Sequence, residues 1–162
     1  MAAKDCLLRS FQILSLALDP QLESPNVVVQ PFEGIIDCAV KLIRAIEPRY
    51  FKGVRRIEVL PLEVYGKVKA GGGQDPAVVL INAGRIKTEV YSQSGKQAAI
   101  KAAARIIAHE VGHVRTFNPE TGQFEGGENP AEAEEARMGA VIEHRLATTP
   151  EYLRAAVPCL FA

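Results

Sequence analysis

Apolar residues recur at helical spacing in two segments near the start of the chain. In the stretch LLRSFQILSLALDP they return every three or four positions and stop at Asp19-Pro20, which predicts a first helix closed by a turn. The segment GIIDCAVKLIRAIEP carries a broad apolar stripe and ends before Pro48. A second helix is therefore predicted there, since the residue before a proline disfavours helical backbone.

The pattern then changes to that of β-strands. VRRIEVLPL and EVYGKVK are rich in β-branched residues and alternate in part, and AVVLIN is a continuous apolar run bounded by Pro76 and Gly84. Three strands are predicted. The glycine-rich segment AGGGQDP before the last strand is longer than a hairpin requires, which makes it a candidate flap over a binding site.

Helical periodicity returns in the last part of the chain. From about Ser94, SGKQAAIKAAARIIAHEVGHV is alanine-rich with an apolar stripe, and a polar loop follows it. A final helix is predicted from near Pro130 to about Thr148, with Asn129 as N-cap and Glu132 at the capping-box position. Helices and strands are segregated along the chain, so the predicted fold class is α+β, with residues 1–162 forming a single domain.

Composition limits the classes of partner. Nineteen basic residues balance nineteen acidic ones without long runs of either sign, so neither nucleic acid nor a membrane surface is an expected partner. No apolar run reaches the length of a membrane span, and the first apolar stretch lacks a convincing signal-peptide cleavage site. A cytoplasmic location is expected. The chain has cysteines at positions 6, 38 and 159, far apart and without CxxC spacing, so buried free thiols are expected.

The stretch HEVGH carries the clearest candidate chemistry. His109 and His113 lie about 40° apart around a helix and one turn from each other, so both imidazoles can bind one metal ion. Glu110 lies close enough to act as general base on a water at that metal. A catalytic zinc site uses three protein ligands and leaves the fourth position to water. One further ligand is therefore expected downstream.

The acidic run ENPAEAEEARMGA offers glutamates 128, 132, 134 and 135 for that role, and 18 residues separate His113 from Glu132. This arrangement resembles the gluzincin metallopeptidases, in which a glutamate from a second helix completes the HExxH site. The run EAEEARMGA, from Glu132 through Ala140, is similar to the ligand helix of the HtpX-like and ImmA-like branches. The resemblance covers roughly residues 77 to 146.

The resemblance implies a zincin-like fold, with a small antiparallel or mixed sheet packed on the HExxH helix and on a second, ligand-bearing helix. It implies Zn²⁺ held by His109, His113 and Glu132, with Glu110 as catalytic base, and it implies that residues 79 to 83 form the strand along which a peptide binds. Glu135 is the rival third ligand, since it lies within the apolar face of the last helix. Ala136 stands where gluzincins often carry an acid that orients a histidine. Glu135 or Glu128 would have to supply that contact.

The expected function is that of a small soluble zinc-dependent peptidase acting on a peptide or protein substrate. The alternative is a regulatory or binding module that keeps the metal site but has little catalytic turnover. A purely structural helix pair without metal is the third possibility, and it predicts that a chelator leaves thermal stability unchanged.

Overall fold

The structure, a computed structural model, describes residues 34–70 and 77–162. The predicted first helix and most of the candidate flap lie outside the described residues. The helices are α1 (Ile35–Ile46), the short α2 (Ala83–Ile86), α3 (Ser92–Val114), α4 (Asn129–Thr148) and α5 (Pro150–Ala156); a π-helical turn, Lys87–Tyr91, joins α2 to α3. The strands are β1 (Val54–Val59), β2 (Gly66–Ala70), β3 (Ala77–Ile81), β4 (Phe117–Asn118) and β5 (Gln123–Phe124).

Strands β1, β2 and β3 form a mixed sheet in the order β1-β3-β2. The central strand β3 runs parallel to β1 and antiparallel to β2, with Lys67 opposite Leu80 and Val68 opposite Val79. All five residues of β3 are buried, which explains why its sequence is a continuous apolar run without alternation. Among the described strands, β2 is therefore an edge of this sheet.

The helix α3 packs between α1, the sheet and α4. Its apolar stripe, from Ile100 through Ile107 to Val111, is buried in one core with the inward residues of α1 and β3. Gly95 interrupts the helical backbone with a φ of 83°, so the regular part of α3 starts after it. One side of α3 is buried in this core. The histidines of the HEVGH segment, near the C-terminal end of α3, can therefore lie on its remaining open side.

The structure confirms the α+β class, the small mixed sheet and the predicted second helix. The predicted cap of the last helix is wrong by one residue. Glu128 is the N-cap of α4, Asn129 is its first helical residue, and no side-chain hydrogen bond caps this terminus. The capping-box role of Glu132 is thus not found, and the backbone N–H of Glu132 donates to the Glu128 carbonyl instead.

The expectation of free thiols is wrong for two of the cysteines. Cys38 on α1 and Cys159 in the C-terminal turn form a disulfide, with their Cα atoms 6.0 Å apart. The separation of 121 residues gave no local spacing by which the sequence could reveal it. Cys6 lies outside the described residues. In the part of the chain that the structure describes, no helix combines the length and apolar character needed to cross a bilayer.

Candidate metal centre

The last two turns of α3 present His109 and His113 on the same side, as their spacing predicts. Their ring centroids are 5.1 Å apart, and both side chains are largely but not fully buried. The rest of this helix end is buried in the core, including Val111 and Val114. The two imidazoles therefore lie between the core and an open cleft, where a third ligand can reach them.

Glu128 is the carboxylate that lies beside both histidines. Its Oε2 atom is 3.2 Å from Nε2 of His109 and 3.6 Å from Nε2 of His113. One ligand atom from each of these residues lies within 4.8 Å of the other two, a grouping compact enough to hold one metal ion. Two imidazole nitrogens and one carboxylate oxygen are the donor set that catalytic zinc uses in His₂Glu sites.

The chain reaches this position through a tight reversal after α3. The short hairpin β4–β5 leads into Gly126 and Gly127, both with positive φ (94° and 64°), and Glu128 follows at once. Residues with a side chain rarely adopt this backbone, so the glycine pair permits the chain to turn back onto α3. Glu128 thus lies where this turn joins the N-terminus of α4, as the N-cap residue of that helix.

Glu135 contacts the opposite nitrogen of His109. Its Oε2 atom is 3.1 Å from Nδ1, and an ionised carboxylate can only accept, so Nδ1–H donates to it. With a metal on Nε2, the nitrogen that faces Glu128, this contact would hold His109 in the tautomer that carries its proton on Nδ1. Arg105, one turn earlier on α3, pairs with the other oxygen of Glu135 at 3.2 Å. Glu135 thus provides a carboxylate that can orient His109, a contact that the family resemblance leads one to expect from position 136, where this chain has alanine.

Glu132 is not brought to the site. Its side chain is exposed on the first turn of α4, and it does not belong to the group of ligand atoms around His109 and His113. Its role as third ligand stays a prediction from the resemblance, while the geometry of the described residues favours Glu128. Glu128 and Glu135 are seven residues apart, or about two helical turns, and so lie on the same side of α4.

Glu134 faces away from the histidines and forms a buried ionic cluster behind them. It accepts hydrogen bonds from the Tyr50 hydroxyl at 2.8 Å and from Arg137 at 2.7 Å, and it forms an ion pair with Arg115 at 2.9 Å. Burial alone would raise the pKa of Glu134, but the hydrogen bonds from Arg137 and Tyr50 and the charge of Arg115 outweigh it, and the net pKa is lowered. This cluster joins α4 to the end of α3 and to the segment after α1.

Glu110 lies on the inner side of the cleft and is only 5 % exposed. Burial raises its pKa to about 7; the charge of His109 opposes this shift, and the nearby carboxylates of Glu128 and Glu135 add to it. A carboxyl group that titrates near neutrality can both take and return a proton at that pH. In this respect the position and environment of Glu110 suit a general base.

The open cleft in front of these residues has a volume of about 1050 Å³. One wall is α3 from Ile106 to His113, and the other is the segment 61–68, which includes the start of β2. Phe124 of β5 and the carboxylates of Glu128 and Glu135 complete it. The expectation that residues 79 to 83 line the cleft is wrong, because β3 is the central strand, buried and paired on both sides.

The wall formed by residues 61–65, here called the wall loop, is fixed by residues that follow β3. The Asn82 side chain donates to the Leu62 carbonyl at 2.6 Å, and the Asn82 backbone N–H donates to Tyr65 at 2.8 Å. Arg85 donates to the Glu63 carbonyl at 3.1 Å and lies over the Tyr65 ring. Because its carbonyls are bonded in this way, the wall loop forms a defined surface opposite His109 without belonging to a strand.

Sequence reasoning did not single out the wall loop or Gly66 as parts of a site, and it named Glu128 only among several acids. The glycine pair before Glu128 and the two-turn spacing to Glu135 are the signals that could have pointed to it. The sequence of the wall loop, PLEVY, contains no motif that indicates a binding or catalytic role. Its place is set by the order of the strands, which local patterns do not determine.

Comparison with other proteins does not extend these observations, because no protein-family model, curated protein or solved structure matches the chain.

Proposed function

We propose that this protein is a zinc-dependent peptidase with His109, His113 and Glu128 as metal ligands. The observation that carries the proposal is the convergence of the two Nε2 atoms on one oxygen of Glu128, beside a buried carboxyl group and an open cleft. Structural zinc sites are usually closed by four protein ligands, whereas three ligands facing a cleft leave a position for water. The donor set therefore fits a catalytic metal better than a structural one.

In this proposal each residue of the site has its own role in peptide hydrolysis. Bound zinc would supply a Lewis acid that polarises a peptide carbonyl and lowers the pKa of a water. Glu110, a buried carboxyl group beside both histidines, would accept the proton from that water and then donate it to the leaving amine. Glu135 would keep His109 in the tautomer that binds metal through Nε2.

The substrate of such an enzyme is proposed to be a peptide in extended conformation, bound along β2. Among the described strands β2 has no partner on the side away from β3, so its main-chain groups there can pair with a peptide, and its first residues line the cleft. Extended peptides commonly bind by adding a strand to such an edge. This replaces the predicted role of residues 79 to 83, since β3 has no free edge.

The metal site is tested first, by elemental analysis of the purified wild type and His113→Ala after saturation with zinc and dialysis. One zinc per chain in the wild type and none in the variant is expected. His144→Ala is the matched control, because this histidine is exposed on α4, away from the cleft lining, and its loss should leave zinc content unchanged. Zinc in neither protein would refute the site.

Turnover is tested with fluorescently labelled casein and zinc-loaded protein, wild type beside Glu110→Gln. A peptidase cleaves casein, and the variant keeps its zinc but loses cleavage by about 10²-fold or more. Zinc binding without cleavage of casein or of a mixed peptide library in either protein would instead support a binding module. A chelator that changes neither activity nor melting temperature would support a structural helix pair.

A cytoplasmic location stays a prediction, and the Cys38–Cys159 bond weighs against it. Disulfides persist in oxidising compartments and are rare where glutathione keeps thiols reduced. Fractionation of the source cells, with trapping of free thiols before lysis, would decide both the location and the oxidation state.

A further inference from the structure

Gly66, the first residue of β2, lies directly against the catalytic-base candidate. A Cβ atom built on Gly66 would be 2.7 Å from Oε1 and 3.0 Å from Cγ of Glu110, and 3.0 Å from Cγ2 of Ile106. Distances below 3.0 Å essentially never occur for real Cβ atoms. The carboxylate of Glu110 thus occupies the space that any side chain at position 66 would need.

The backbone at this position does not itself require glycine. Gly66 is not among the glycines with positive φ, and it pairs with Ile81 in the regular register of the sheet. Glycine is a poor strand residue, and inside a strand it often marks the close approach of another group. Close approach to Glu110 and Ile106 is the contact that the structure shows for it.

Packing, and not hydrogen bonding, holds the Glu110 side chain. Among the residues that the structure describes, none donates a hydrogen bond to its carboxylate; His109, Glu128 and Glu135 act on it through charge alone. The described residues therefore leave its lone pairs available to a water or a substrate amine. A group held only by its neighbours' shape is displaced when that shape changes.

We propose that Gly66 is a positioning residue for Glu110: by lacking a side chain, it gives the carboxylate its place between the edge strand and the cleft. The inference rests on the proposed function for its catalytic consequence, but its geometric part stands without it. The atoms that an alanine would meet belong to side chains, and Oε1 is the end of a flexible one. Glu110 therefore moves while the fold is kept.

The geometric part is tested by crystal structures of the wild type and Gly66→Ala. We expect the Glu110 carboxylate to shift by at least 0.7 Å, the difference between 2.7 Å and an ordinary contact of 3.4 Å, with the helix backbone unmoved. Gly84→Ala is the matched control, since a Cβ there meets only Asn82 Oδ1, at 3.6 Å. A carboxylate that stays in place while β2 moves away would overturn the proposal.

The catalytic part is tested with zinc-loaded Gly66→Ala on labelled casein. A displacement near 1 Å at a reacting group is expected to lower kcat about 10²-fold, with KM, zinc content and the Gly84→Ala control unchanged. An unchanged kcat, or a loss of zinc, would overturn it. If wild type and Glu110→Gln are equally inactive, the proposed function fails instead, and the crystal structures still decide whether Gly66 positions Glu110.

Discussion

Gly112 of α3 and Ala131 of α4 are in such close contact that a Cβ atom on Gly112 would lie 2.6 Å from the Ala131 Cα atom. It would also lie 2.9 Å from the carbonyl oxygen of Pro130. The neighbours here are backbone atoms, which cannot turn away as a side chain can. Gly112, the residue before His113 in the HEVGH motif, therefore sets how closely the first turn of α4 approaches the histidines. Glu128 at the start of α4 depends on this distance.

Gly112→Ala is expected to weaken zinc binding, because α4 must move outward and carry Glu128 with it. Alanine favours helix by up to about 1 kcal/mol over glycine, but overpacking at a buried contact costs about 1–3 kcal/mol. We expect a zinc affinity at least about 10-fold lower by competition with a chromophoric chelator. Gly84→Ala is the control, and wild-type affinity in Gly112→Ala would show that α4 does not depend on this contact.

The three candidate carboxylates make different predictions for zinc affinity. Glu128→Gln removes the oxygen that lies near both Nε2 atoms and should cause the largest loss. Glu135→Gln removes the acceptor of the His109 Nδ1–H and should cost about 10–100-fold. Glu132→Gln is the matched control, since its side chain is exposed away from the histidines. A greater loss for Glu132→Gln than for Glu128→Gln would restore the ligand set that the family resemblance implies.

The cluster around Glu134 predicts a pH-dependent contribution to stability. Its pKa is lowered in the folded protein, so its contribution is fully present above the ordinary value of 4.5 and is lost as the pH falls through the folded pKa. Glu134→Gln should destabilise by about 2 kcal/mol at pH 7, because charged hydrogen bonds in a buried cluster are replaced by neutral ones. The gap to wild type should shrink below pH 4.5, as measured by urea unfolding.

Glu151→Gln is the control for this comparison. Glu151 pairs with Arg154 on the surface and is 83 % exposed, and such pairs contribute little. It should behave like wild type at both pH values. A Glu134→Gln deficit that stays the same at pH 3 would mean that the charge of Glu134 is not what stabilises the cluster.

The sequence was sufficient for the features that rest on local periodicity. The apolar stripes at helical spacing predicted α1 and the HEVGH helix, and they placed His109, Glu110 and His113 together at one helix end. Start signals, chiefly Pro130, gave α4 nearly its observed bounds, although the N-cap is Glu128 and not Asn129. These predictions succeeded because a helix fixes the relative direction of its side chains without help from the rest of the chain.

The features that the sequence did not reveal depend on how distant segments meet. Glu132 as third ligand stays a prediction, but the carboxylate beside both histidines is Glu128, and it is placed by Gly126 and Gly127, whose positive φ values cannot be inferred from periodicity. The substrate strand was assigned to residues 79 to 83 because they precede the active helix, but strand order puts β3 in the centre. A continuous apolar run is typical of a strand that is buried on both faces, and β3 is such a strand.

The Cys38–Cys159 disulfide gives the last prediction, since it joins α1 to the C-terminal turn across 121 residues. Closing so long a loop restricts the unfolded chain, and native disulfides typically contribute about 2–4 kcal/mol. Reduction should therefore lower the melting temperature of the wild type, while Cys159→Ser should start lower and not respond to the reductant. Alkylation of the denatured, unreduced wild type should label one cysteine, Cys6. Three labelled cysteines, with a melting temperature insensitive to reductant, would show that the thiols are free, as the sequence had suggested.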